Sequence, residues 1–208
     1  VNVTDNNNCT QSITVEITEP EPVVVTETHS DYSGFGVSCN GASDGNINIS
    51  VEGGTGDGTY TYDWSNGETT QDLDNIPAGF YTVNVTDNNN CTQSITVEIT
   101  EPDEIIIEIT QSNEEGFEWQ NGQLLCANSL ANIDISVSGG TGDYIYEWSN
   151  GETTQDINNV PAGIYSVTVT DQNGCTDPFS IDIIAPDLVT ISETHSDYSG
   201  FGVSCNGA

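Results

Sequence analysis

Residues 1–20, VNVTDNNNCTQSITVEITEP, recur unchanged at 83–102, and this internal identity constrains the fold more than any other feature of the chain. WSNGETTQD stands at 64–72 and again at 148–156, PAG at 77–79 and 161–163, and ETHSDYSGFGVSCNGA at 27–42 and 193–208. The spacings share a period of ~83 residues or twice that, and a fixed period is the signature of an array. A unit of that length can bury its own small core, so the array reads as beads on a string rather than as a stacked solenoid. The chain divides into the tail of one repeat (1–20), two whole repeats (21–102 and 103–186) and the opening of the next (187–208). It reads as a piece of a longer array.

Inside a repeat the hydrophobic period is 2. Ile47, Ile49 and Val51 alternate with Asn and Ser. Tyr60, Tyr62 and Trp64 share a face, as do Tyr81, Val83 and Val85, and then Ile95, Val97 and Ile99. Half-buried antiparallel strands have this pattern. Gly- and Asn-rich punctuation separates them (NGASDG, EGGTGDG, WSNGE, NIPAG, TDNNN). No stretch carries a convincing amphipathic helix; residues 116–131 come nearest and read as a variant of the repeat opening. Six or seven short strands per repeat predict an all-β chain of tandem immunoglobulin-like sandwiches, arranged head to tail as an extended rod. Trp64 and Trp148 fall where a third strand carries its core Trp. Tyr81 and Tyr165, each just after a Pro-Ala-Gly corner, fall where a tyrosine corner belongs.

The charge balance removes whole classes of function. There are 33 Asp and Glu, no Lys or Arg, and a formal charge of −33. Nucleic-acid binding relies on cations to displace counterions from phosphate, and attraction to anionic lipid relies on the same residues. Lysine Schiff bases, arginine phosphate clamps and Lys–Asn isopeptide bonds are chemically impossible here. No apolar run approaches the ~18 residues of a membrane span.

The order C-N-G-x-x-D-G-x-I (39–47), G-G-T-G (53–56), Y-x-W-S-N-G (62–67), P-A-G-x-Y-x-V-x-V-T-D (77–87), N-C-T (90–92) and I-T-E-P (99–102) resembles the SprB-type repeat of Bacteroidetes gliding and cell-surface adhesins, itself similar to polycystic-kidney-disease-like domains. The second repeat departs at its start, where LLCANSLANIDI (124–135) replaces the C-N-G-x-x-D-G-x-I opening. The resemblance implies a long secreted adhesin, exported by the type IX route and displayed on the cell surface as a filament.

Each repeat has two cysteines: one between the first two strands (Cys39, Cys126, Cys205) and one in the last hairpin (Cys9, Cys91, Cys175). Regular placement without metal-type C-x-x-C spacing predicts disulfides in an oxidising compartment. In immunoglobulin topology the two positions lie at opposite ends of a sandwich, ~20 Å or more apart, against the ~5.5–6 Å Cα spacing of a cystine. That geometry favours an inter-domain staple between Cys39 and Cys175, with Cys9, Cys91, Cys126 and Cys205 pairing to further repeats. The intra-repeat alternative pairs Cys39 with Cys91 and Cys126 with Cys175, and free thiols are the third option.

Asp57 and Asp87 fall at one expected end of the first repeat, Asp143 and Asp171 at the matching end of the second, which makes calcium a candidate ligand for these oxygens. Solvated turns are the competing reading, because turns favour Asp, Asn and Gly for backbone reasons. His29 and His195 are one position seen twice in HSDYSG, and Glu114 and Glu115 sit in no cleft motif; neither set reads as catalytic. Two functional readings follow. In one the chain is a non-enzymatic structural segment of an adhesin, its partners being neighbouring repeats. In the other it is a multivalent module that binds surface glycans, proteins or other filaments through its loops. Like charges on successive domains, repelling over a Debye length of ~8 Å, would resist collapse and clumping.

Overall fold

In the computed structural model the described residues are 1–56, 58–113 (backbone only at 110–113), 124, 126 and 128–194. Every regular element among them is a β-strand. The chain divides into two compact units. The first takes in Val1–Glu104 together with Gly139–Gly142 and Gln172–Cys175; the second takes in Ile105–Ser138, Asp143–Asp171 and the chain from Thr176 on.

The first unit begins with a hairpin, β1 (Asn2–Thr4) and β2 (Thr10–Ser12). Six strands follow: β3 (Val24–His29), β4 (Gly45–Glu52), β5 (Tyr60–Trp64), β6 (Leu73–Ile76), β7 (Gly79–Asp87) and β8 (Thr92–Ile99). They form two antiparallel sheets, β3-β4-β6 and β5-β7-β8. The period-2 pattern sends Ile47 and Ile49 of one sheet, and Trp64, Val83, Val85, Val97 and Ile99 of the other, into a common core with Leu73, Ile76 and Tyr81. This is an immunoglobulin-like sandwich, with Trp64 on the third of its six strands. The second unit repeats it. The strands β9 (Ile106–Asn113), β10 (Ala131–Ser138) and β12 (Ile157–Val160) make one sheet; β11 (Ile145–Trp148), β13 (Gly163–Thr170) and β14 (Thr176–Ile183) make the other. Ile133, Ile135, Trp148, Val167, Val169 and Ile183 fill its core.

Local hydrogen bonds explain why certain segments recur letter for letter. The Trp64 indole donates to the Thr70 carbonyl at 2.9 Å, and Thr70 Oγ1 donates to the Asp72 carbonyl. β6 pairs with β4 only from Gly45 to Ile47. Beyond that point side chains replace the missing strand: Gln71 Nε2 donates to the Ile49 carbonyl, and the Ile49 amide donates to Asp72 Oδ1 at 2.8 Å. Trp148, Thr154, Gln155, Asp156 and Ile135 repeat these bonds in the second sandwich. The identity of WSNGETTQD between repeats is therefore structural. Tyr81 OH donates to the Pro77 carbonyl at 2.9 Å, and Tyr165 OH does the same to Pro161. Burial raises the pKa of both phenols.

Leu124 matches Val37 of the first repeat. It is 4% exposed, and its amide donates to the Ile184 carbonyl as the Val37 amide donates to Thr100. The variant opening of the second repeat thus enters its core at the same place; 114–123, with Glu114 and Glu115, lie outside the described residues.

Two substitutions probe these bonds by urea denaturation. Tyr81→Phe should cost about 1 kcal/mol, one net hydrogen bond, while Asp72→Ala, which strands the Ile49 amide inside the sheet, should cost about 1–3 kcal/mol.

Candidate functional site

The loop between β3 and β4 is a built structure rather than a slack connection. Tyr32 and Phe35 close a two-residue hairpin turn, with the Tyr32 amide donating to the Phe35 carbonyl at 2.7 Å. Its central residues, Ser33 (φ 56°) and Gly34 (φ 96°), both take the left-handed conformation such a turn demands. The Gly36 and Val37 amides donate to the Thr100 carbonyl, pinning the next stretch to the end of β8. A Cβ on Gly36 would meet Ile99 Cγ2 at 2.7 Å, so only glycine allows this approach. The Ser38 amide donates to Asp44 Oδ1 at 3.1 Å, and hydrogen bonding from Ser38, side chain first, holds the Asp44 carboxyl below its usual range. Asn40 and Gly41 donate to the Pro102 carbonyl and the Glu101 carboxylate. Cys39 is thus held by anchored neighbours on both sides.

Against this loop, within the first unit, sits the hairpin tip Gln172–Cys175. Cys39 and Cys175 form a disulfide with a Cα–Cα distance of 5.7 Å across a sequence separation of 136. Asn173 lies beside it. Its Nδ2 donates to the carbonyls of Tyr32 (3.3 Å) and Ser38 (3.2 Å), and its Oδ1 accepts from Ser33 Oγ (2.9 Å). Gly174, between the two, has a φ of 86°, the conformation that Asn8 and Asn90 adopt in the matching hairpins.

The other expected cystine residues are placed differently. Cys9, Cys91 and Cys126 are exposed thiols, and Cys205 lies outside the described residues. Neither intra-repeat pair, Cys39 with Cys91 or Cys126 with Cys175, is formed, because Cys39 and Cys175 hold each other.

The expected calcium residues separate into two kinds. Asp87 is 4% exposed and its oxygens are filled by donors: Thr55 N and Oγ1 on Oδ2, both at 2.8 Å, and the amides of Asn89 and Cys91 on Oδ1. Burial works against its charge, but the bonds from Cys91, Thr55 and Asn89 outweigh that cost and hold its pKa at about 2. Asp171 is 3% exposed, Asp143 is exposed, and Asp57 lies outside the described residues. Among the described residues no group of three or more His, Cys, Asp or Glu is arranged to hold a metal ion. His29 is exposed and pairs with Glu27 at 3.0 Å; His195 lies outside the described residues.

Asn173, Ser33 and the Ser38 carbonyl were not singled out by sequence reasoning. A signal for the first was there: an Asn stands two residues before each hairpin cysteine, as Asn7, Asn89 and Asn173.

The SprB repeat family matches two segments, residues 37–69 and 119–153. The first runs from Val37 through β4 and β5 into the turn after Trp64. Together these two segments take in about a third of the chain, and each is similar to the SprB repeat. A comparison with curated proteins finds no match. Among solved structures, the chain is similar to a C-terminal 282-residue fragment of intimin, crystallised with the intimin-binding domain of the translocated intimin receptor: 14% identity, TM-score 0.39, covering 80% of this chain and 64% of that one. It is also similar to the N-terminal eight immunoglobulin domains of Down syndrome cell adhesion molecule, at 12% identity and a TM-score of 0.40, covering 81% of this chain and 25% of that one.

Asp87 makes acid stability a readout of the hairpin. Its folded pKa, about 2, lies below the ordinary 3.8. A carboxyl lowered on folding stabilises the fold fully above its unfolded value and loses that contribution as pH falls through the folded one. The urea midpoint should therefore drop between about pH 4 and pH 2 in the native chain. Asp87→Asn should have a lower midpoint at pH 7 and a flatter profile across that window; equal slopes would discount the residue.

Proposed function

We propose that this chain is a non-enzymatic, load-bearing segment of a long extracellular adhesin, secreted and displayed on the cell surface as a filament, with cystines between successive repeats carrying tension. The Cys39–Cys175 bond carries this reading: Cys39 belongs to the first whole repeat in the sequence, and Cys175 to the last hairpin of the second. The SprB-type repeats support export by the type IX route and a role in adhesion or gliding. The exposed thiols Cys91 and Cys126 stand at the positions of Cys175 and Cys39, ready to continue the pattern to repeats on either side. Such a bond changes how force travels. Load applied at the chain ends passes from Cys39 straight to Cys175, and the sequence between them, a separation of 136, cannot lengthen. At ~3.3–3.6 Å per residue that removes ~450–490 Å of extensible contour. The identity of WSNGETTQD between repeats adds to this reading, because its Trp, second Thr, Gln and Asp are engaged in bonds that hold the sandwich together.

Two measurements test it. A peptide map of the oxidised protein, cut with a chymotryptic or acidic-residue protease because trypsin has no site, should contain a Cys39–Cys175 cystine. A dominant Cys39–Cys91 peptide would sink the reading. Single-molecule pulling from the two ends should give an unfolded contour ~450 Å longer with reductant than without; equal lengths would mean that the bond bears no load.

A further inference from the structure

We infer that Asn173 is a positioning residue that selects which cysteines join: the Asn-x-Cys hairpin tip is a plug, and the loop from Tyr32 to Cys39 is a socket that reads its side-chain amide. The inference rests on the cystine of the proposed function and explains how that bond is chosen.

A side-chain amide has two N–H donors and one carbonyl oxygen, and the loop answers each. The Tyr32 and Ser38 carbonyls take the two donors, and Ser33 Oγ supplies a proton to Oδ1. The two carbonyls come from opposite sides of the loop, so both must be in place at once. Ser33 is presented by its left-handed turn, and Ser38 is fixed through its amide bond to Asp44. One accepting carbonyl, Ser38, belongs to the residue next to Cys39, and Asn173 stands two residues before Cys175. Reading the amide therefore brings the two sulfur atoms together. A charged or shortened side chain cannot satisfy this socket: a carboxylate would face two carbonyl oxygens, and alanine would take the Asn173 partner from the Ser38 carbonyl and the Ser33 hydroxyl, leaving the Tyr32 carbonyl only its bond from the Phe35 amide.

The chemistry needs only a small-molecule disulfide such as oxidised glutathione. The Cys175 thiolate attacks it, forming a mixed disulfide and releasing one glutathione thiol. The Cys39 thiolate then attacks the Cys175 sulfur and releases the second. Two electrons and two protons leave the protein cysteines and end on two glutathione molecules. Asn173 touches neither sulfur's chemistry; it raises the local concentration of one thiol at the other.

The same plug stands at Asn7-Asn8-Cys9 and Asn89-Asn90-Cys91, and the socket sequence DYSGFGVSCNG is repeated at 197–207. Each tip is thereby keyed to a socket of this sequence on another repeat, rather than to the second repeat's own opening, which lacks it.

The test is the equilibrium of the full chain with a glutathione redox buffer, read by cystine mapping. In the native chain Cys39–Cys175 should predominate. Asn173→Ala should lower the equilibrium constant for that bond about 10- to 100-fold, the worth of two to three hydrogen bonds, and raise the share of mispaired cystines. Asn173→Asp should do at least as much, and Ser33→Ala less. Asn89→Ala, at the matching position of the other hairpin, where the side chain is exposed, should leave Cys39–Cys175 unchanged and so controls for folding. An unchanged constant in Asn173→Ala, with the bond present in the native chain, overturns the positioning role alone. Absence of the bond in the native chain overturns the staple beneath it.

Discussion

A carboxylate with no cation to pair with must take its hydrogen bonds from amides and hydroxyls, and that constraint organises the loops of this chain. With no Lys or Arg anywhere in the sequence, acidic side chains that turn inward are capped by the backbone. Asp87 gathers three amides and a hydroxyl, Asp72 and Asp156 hold the amides of Ile49 and Ile135, and Asp31, Asp44 and Glu101 hold those of Gly34, Ser38 and Gly41. Each bond to a charged acceptor is stronger than a neutral one, and each ties down a backbone amide, in a turn or, for Ile49 and Ile135, within a strand. The acidity that excludes so many chemistries is also what stiffens the connections.

Cohesion then divides between two sources. Within a sandwich it is the burial of alternate Ile, Val, Trp and Tyr between two sheets. Beyond a sandwich, Lys and Arg salt bridges and Lys–Asn isopeptides being excluded by the sequence, a cystine is the covalent device open to the chain. A cystine between two rigid loops is only as selective as the contacts that bring its sulfurs together. The bonds around Asn173 provide that selectivity without any charge.

Much of the fold was legible because side-chain alternation is a direct consequence of the pleat. Ile47, Ile49, Val83 and Val85 announce their burial by position alone, and Trp64 and Tyr81 announce their corners by the company they keep. The site was legible only in part. The cysteine spacing pointed to two ends of a sandwich, but nothing local distinguishes Asp87, sealed among four donors, from Asp143, exposed. Both are acidic residues in Gly- and Asn-rich turns, and their fates depend on whether Thr55-like donors fold back over them. Gln71 and Asp72 likewise look like surface residues until β6 stops short of Ile49 and leaves backbone groups to be filled.

By itself the sequence determined the repeat, the period-2 strands and the absence of cationic chemistry, because these follow from residue order and from pleat geometry within a few neighbours. The tertiary structure alone decided that an Asn and a Cys in one hairpin face a Ser, two carbonyls and a Cys in a loop more than a hundred positions away. Carbonyl groups are the same in every residue, so the letters of the socket, though repeated, do not show which carbonyls the amide will meet. Only their directions in space make it a site.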